Sequence, residues 1–160
     1  MLDEKRNSAR GNAPVRRLAD LDGVLTFRLA RLQNRLNAQA AAVLGGLGGP
    51  SLTQWRLLTA IHTLGETTLS EIVRELRFDK GQVSRALTAM MGRGWVLARP
   101  DPDDQRRQIL ALTSAGITEH TRLLGPMRAR QAALAKSLSG PEQAGLLAGI
   151  SAIEAALDDP

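Results

Sequence analysis

Between positions 80 and 107 the chain carries a set of side chains whose types suit a polyanion. Lys80, Gln82, Ser84, Arg85 and Thr88 lie in one short run, and Arg99, Asp104, Arg106 and Arg107 in the next. Val83, Leu87 and Met90 are spaced by four and three residues, so on a helix they share one inward face. Arg85 is then nearly opposite that face, with Gln82, Ser84 and Thr88 beside it. An outward arginine has the planar fork that bonds guanine O6 and N7 in the major groove, a contact that discriminates between bases by ~1–3 kcal/mol. Gln82 and Ser84 suit bases or phosphates, Thr88 the same further along, and Lys80, near the start of the run, suits phosphate. Gly81 lies on the same outward side and would let backbone come close. Arg106 has the reach to enter a narrow minor groove, whose enhanced negative potential attracts arginine; Arg99 and Arg107 read as phosphate neutralisers. Asp104 is an anion among these cations. It is expected to bond the Arg106 guanidinium and hold it extended. The plainer reading of each helix residue is a solvated face, and of the Asp–Arg pair a stabilised turn.

The elements that must position these groups occupy residues 69–112. Thr68 caps a first helix and Glu71, three residues on, completes a capping box. Ile72, Val73 and Leu76 give that helix its apolar side. Arg77, Phe78 and Asp79 break the pattern, and Asp79 is a good N-cap for a second helix with Gln82 at its N3 position. Gly92 and Gly94 end the second helix. Residues 95–99 and 108–112 are apolar-rich strands, and the loop 100–107, with its Pro, Asp and Arg residues, suits an exposed turn. Two short helices, a tight turn and a basic-tipped hairpin make a winged helix-turn-helix, in which a polar helix face fits the major groove and the hairpin a neighbouring groove or the backbone.

Apolar helices flank this unit. Residues 1–14 are polar and read as a mobile tail. Over 15–44, Leu18, Leu21, Leu25, Leu29, Leu32 and Leu36 form one stripe, and the glycines and proline of 45–50 end the helix. A helix capped by Ser51 or Thr53 follows, with Trp55, Leu58 and Ile61 on its buried side; Trp55 reads as a core anchor and His62 as a surface or satisfied core residue. After the hairpin, Thr113 caps a long helix reaching about Leu138, in which Pro126 should cause a bend. Ser139 and Glu142 open a last helix whose stripe is Leu146, Ile150, Ile153 and Leu157. These stripes need partners. The simplest arrangement packs the helices of 15–50 and 113–157 together and against a second copy, a two-fold homodimer. Its two reading helices would have to match about one turn of DNA, ~34 Å, or a multiple. The expected fold class is mainly α with a small β-hairpin wing: a winged helix-turn-helix over 51–112 plus a helical dimerisation region.

Composition bounds the function. The 160 residues are 43% hydrophobic, enough for a core, but only 2% aromatic, and the net charge is +5. That charge favours a polyanion, nucleic acid or membrane surface alike. No cysteine is present, which removes disulfides, thiol redox sensing and thiolate metal sites. No apolar run approaches the ~18 residues of a membrane span, and the first residues lack the apolar region of a signal peptide, so a cytoplasmic protein is expected. An enzyme is disfavoured: His62 and His120 are the only histidines, and no nucleophile or metal motif has a supporting spacing. A non-specific architectural nucleic-acid binder shares the charge and the wing but needs no base-reaching helix face. An interaction module that has lost DNA binding is opposed by Arg85, Arg106 and the intact turn.

The ordered set DKGQVSRAL, GWVLAR, PDPDDQRR and LTSAG, preceded by LTQWRLLTAI and TLSEIVREL, resembles the MarR family of transcriptional regulators over nearly the whole chain. In that family an Asp-x-Arg pair marks the wing, and Asp104 and Arg106 occupy it here; Gln105 stands where many relatives carry arginine. The resemblance implies a sequence-specific regulator of double-stranded DNA, a repressor acting as a homodimer on a (pseudo)palindromic operator. It also implies a small, aromatic or anionic effector, for which no residues are assigned. No cofactor and no metal are expected.

Overall fold

The computed structural model describes residues 23–158. They form α1 (Leu25–Gly46), α2 (Leu52–Leu64), β1 (Thr67–Thr68), α3 (Leu69–Leu76), α4 (Lys80–Gly92), β2 (Val96–Pro100), β3 (Gln108–Leu112), α5 (Ser114–Ala135) and α6 (Gly140–Asp158). The expected tail, and the first part of the helix expected from residue 15, lie outside the described residues. The chain divides into two compact units, one ending at Asn37 within α1 and the other beginning at Ala38.

In the first unit, the described part of α1 leaves its leucines open: Leu25 is 58% exposed and Leu32 48%. A shallow hollow along it is lined by Leu25, Leu29 and Leu32 together with Arg28, Arg31 and Arg35.

In the second unit, helix starts are set by side chains that satisfy the free amides of a first turn. Ser51, not Thr53, caps α2: its hydroxyl accepts from Gln54 N–H, while the Gln54 side chain accepts from Ser51 N–H. Thr68 and Glu71 close the same reciprocal box on α3. Asp79 caps α4 through Gln82 N–H at 2.8 Å. The Gln82 side chain does not return to complete a box; it donates to Thr53 on α2. Thr113 caps α5, and Ser139 and Glu142 box the start of α6. The turn between α3 and α4 passes through Arg77 at φ 49°, a left-handed conformation that no glycine supplies here.

The wing has one strand more than the expected hairpin. β2 pairs with β3 antiparallel, from Val96 opposite Leu112 to Pro100 opposite Gln108. β1 pairs with the other edge of β3, giving the order β1-β3-β2. β1 is only two residues long and its second residue is also the cap of α3, so it carries no alternating pattern by which a strand is recognised.

The core joins α2, α3 and α4 to this sheet. Leu57, Leu58 and Ile61 of α2 pack with Ile72 of α3, Val83, Leu87 and Met90 of α4, and Val96 and Leu110 of the sheet, all buried. A smaller cluster of Leu44, Trp55 and Leu123 ties α2 to α5. Gly116 of α5 is required by packing: a Cβ there would overlap the Trp95 carbonyl. Helix α5 runs through Pro126 as one element and stops at Ala135, followed by a turn in which Ser137 and Leu138 N–H bond Leu134 and Ala135 carbonyls. Helix α6, 19 residues long, buries none. Among the described residues no helix is long and apolar enough to cross a membrane.

Candidate nucleic-acid interface

The inward residues of α4 are fixed in the core, with Val83 and Met90 fully buried, so its opposite side must face outward. Lys80, Gln82, Ser84, Arg85 and Thr88 are all exposed. Thr88 Oγ1 donates back to the Ser84 carbonyl. The Arg85 guanidinium lies over Gly81, where an added Cβ would come within 3.4 Å of Nη1 and 3.2 Å of Asp79 Oδ1.

The wing is the second arm. Between it and α4 lies a cleft of about 490 Å³. Lys80, Ser84 and Thr88 line one wall and Gln105, Arg106 and Arg107 the other, with Thr68 and Ser70 at the start of α3. The lining holds three cations and no carboxylate. A concave surface of one sign focuses potential and attracts the opposite charge.

Four of the expected residues lie elsewhere. Arg85 stands on the outer side of α4, above Gly81. Gln82 is turned toward Thr53 at the start of α2. Arg99 is engaged by Glu66, 2.6 Å from its Oε2, so its charge is already matched within the protein. Asp104 sits in the loop, and its contact differs from the expected one: Oδ1 accepts from the Arg106 backbone N–H at 3.0 Å, and among the described residues no ion pair to the Arg106 guanidinium is present. A short aspartate closes such a turn locally, where the neighbouring amide is nearer than any side-chain nitrogen.

Three features were not visible in the pattern. Asp101, at the root of the wing, is 9% exposed and faces Arg107. Ser70, a polar residue that nothing in the sequence marks, joins the cleft wall beside Gln105, the middle residue of the Asp-x-Arg segment. Third, His120 of α5, 3% exposed, stacks on both Trp55 and His62 of α2, with ring centroids 5.2 and 4.3 Å away. The spacing of Trp55 and His62, two helical turns, places them on one face, but α5 enters only in the fold. Both nitrogens of His120 are buried, with no hydrogen-bond partner among the described residues. Burial, then the nearness of His62 and Arg128, pushes its pKa below the ordinary 6.5. Glu71 is held in its charged form by hydrogen bonds, first from Thr67 and then from Thr68, which lower its pKa. Among the described residues no group of three or more His, Cys, Asp or Glu side chains could hold a metal ion.

The chain is similar to known proteins in sequence and fold. Residues 51–107 match the model of the MarR family. The multiple antibiotic resistance protein MarR of Salmonella typhimurium is 30% identical over 91 residues, 55% of this chain and 63% of that protein. The chain therefore spans slightly less than two thirds of the length of the curated relatives it matches. Among solved structures, a probable transcriptional regulator from Pseudomonas aeruginosa superposes with a TM-score of 0.75 at 26% identity, over 83% of this chain and 98% of that one. A mutant MarR from Escherichia coli complexed with operator DNA gives 0.75 at 23% identity, over 83% and 96%.

Proposed function

We propose that the chain is a member of the MarR family of transcriptional regulators, a reading supported by the match of residues 51–107 to that family's model, and that it is a sequence-specific double-stranded DNA-binding repressor acting as a homodimer on a (pseudo)palindromic operator. The observation that carries this reading is the cleft between α4 and the wing, where Lys80, Arg106 and Arg107 converge with Ser84 and Thr88 and no carboxylate intrudes. Phosphate contacts fix register, and base contacts specify sequence. Lys80 and Arg107 take the first role. Arg85, exposed and outward on α4, takes the second in the major groove, and Arg106 at the wing reaches the adjacent minor groove. Ser84 and Thr88 supply hydroxyls along the same helix. Arg99 contributes only if DNA draws it from Glu66, and surface pairs of that kind are worth little in water.

What is left uncovered supports the dimer reading. Helix α6 exposes Leu147 at 64% and Leu157 at 78%, and the described part of α1 exposes its own leucines. Apolar helix faces of this kind are buried by a second copy in a two-fold assembly. Occupancy of a promoter by such a dimer blocks polymerase directly, which favours repression. A small aromatic or anionic effector would act by preferring one separation of the two reading helices.

Selection of bound duplexes from a random pool tests the reading. A recovered inverted repeat bound at least ~10³-fold more tightly than random duplex at the same salt is expected for a specific regulator. Equal affinity for both would leave only the architectural alternative. On the recovered site, Arg106→Ala is expected to weaken binding and to lower the salt slope by ~0.9 in log–log terms, with the dimer intact by light scattering. Unchanged affinity in a gel-shift titration removes Arg106 from the interface.

A further inference from the structure

Where β2 ends and the wing loop begins, Asp101 is the one residue of the loop that is buried: it is 9% exposed, whereas residues 102–108 are all exposed. We propose that Asp101 is a positioning residue for DNA binding, acting through Arg107 to hold the wing's cations toward the cleft. The proposal rests on the DNA-binding reading above.

Asp101 reaches both sides of the loop. Its Oδ1 accepts from Asp103 N–H at 2.9 Å, which turns the chain immediately after β2. Its backbone N–H donates to the Arg107 carbonyl at 3.0 Å, which closes the loop across its neck. Its Oδ2 lies 3.8 Å from Arg107 Nε. The far side is completed by Arg107 N–H to the Asp104 carbonyl at 2.8 Å and by Arg106 N–H to Asp104 Oδ1. Arg106 and Arg107 are thereby fixed by backbone bonds to two aspartates, and the Arg107 side chain is additionally drawn by a buried charge.

The geometry of that last contact matters. A guanidinium has five N–H donors in a planar fork. With Nε turned toward Asp101, the Nη edge, which matches phosphate bidentately, is left for an external anion. The arginine is thus directed before DNA arrives, and less freedom is lost on binding. A partly buried carboxylate is retained only where it is hydrogen-bonded or paired, and Asp101 is both. The role expected of Asp104 toward the Arg106 guanidinium is therefore filled by Asp101 toward Arg107.

The proposal predicts a sign opposite to simple electrostatics. Removing an anion from a surface that meets a polyanion should tighten binding. If Asp101 positions Arg107, removal weakens it. The test uses the full chain and the duplex recovered by selection, titrated at several salt concentrations by fluorescence anisotropy. Asp101→Ala should lose affinity by about tenfold and shallow the salt slope by ~0.9, one phosphate contact, with an unchanged melting temperature and dimer. Arg107→Ala should do the same, and the double variant should bind no more weakly than Arg107→Ala alone, the non-additivity of residues acting as one unit. Asp101→Asn keeps an acceptor for Asp103 N–H but has no charge for Arg107; it should show the shallower slope, and it serves if Asp101→Ala loses its fold. Equal or tighter binding by the folded Asp101 variants, or additive losses in the double variant, overturns the proposal while leaving DNA binding intact. A wild-type chain that selects no duplex overturns both.

Discussion

The reading lobe and helix α6 are built from similar residues to opposite ends. Leu57, Leu58 and Ile61 of α2 are essentially inaccessible, whereas Leu146, Leu147 and Ile150 of α6, an equally apolar helix, are 39–64% exposed. The lobe closes on itself because α2, α3, α4 and the sheet each present an apolar side to a common centre. Helix α6 has a well-made start, with Ser139 and Glu142 boxed, but among the described residues its stripe meets no comparable surface. A capped helix with an open stripe is stable only when something covers it. The contrast teaches that capping reports where a helix begins, while burial reports which surfaces the monomer completes by itself.

Substitutions can break this contrast. The largest effect is expected at the lobe's centre. Leu58→Ala should lower unfolding free energy by ~2–5 kcal/mol through lost burial and a residual cavity, measured by urea denaturation. Leu147→Asp on α6 should leave the lobe's secondary structure intact by circular dichroism and shift the molecule toward monomer in sedimentation. If Leu147→Asp unfolds the lobe instead, the two regions are not independent in the way their burial implies. Next, Gly116→Ala should cost ~1–3 kcal/mol, because its new Cβ overlaps the Trp95 carbonyl and either α5 or the β2 root must shift. A variant as stable as wild type in the same denaturation assay would show that this junction yields freely.

The smallest effect sharpens the comparison at the α2–α5 junction. His120 is neutral in the fold because burial depresses its pKa below 6.5. A depressed folded pKa means that the unfolded chain takes up the proton first. The stability from keeping His120 neutral is therefore complete above about pH 6.5 and is lost as pH falls toward the lower folded value. Melting temperature should decline across that window, and His120→Phe, which keeps an aromatic ring between Trp55 and His62, should flatten the decline. A wild-type melting temperature that does not change between pH 7 and 5.5 counts against the buried neutral ring.

Much of the reading lobe was legible because its signals are local. Thr68 with Glu71, Asp79, and Thr113 each mark a helix start within three residues, and Val83, Leu87 and Met90 define the inward side of α4 by spacing alone. The choice between Ser51 and Thr53 was not legible, since either hydroxyl has the right chemistry; Ser51 adopts the extended backbone of a cap, and Thr53 lies inside the helix. The expected partner of Asp104 was displaced for a similar reason, because the nearest donor in a tight turn is backbone. Arg99 reads as a phosphate neutraliser in the sequence because its partner, Glu66, is 33 residues away.

By itself, then, the sequence determined the periodic and the adjacent: helix faces, caps, the basic loop, and the family resemblance those features carry. Tertiary structure alone decided the pairing of β1 with β3, the ion pair that occupies Arg99, the burial of Asp101 beside Arg107, and the stacking of His120 on two rings of α2. The physical reason is range. Backbone hydrogen bonding and helical period act over a few residues and leave a mark in the order of residue types, whereas burial and charge pairing depend on which distant segments the closed core brings together.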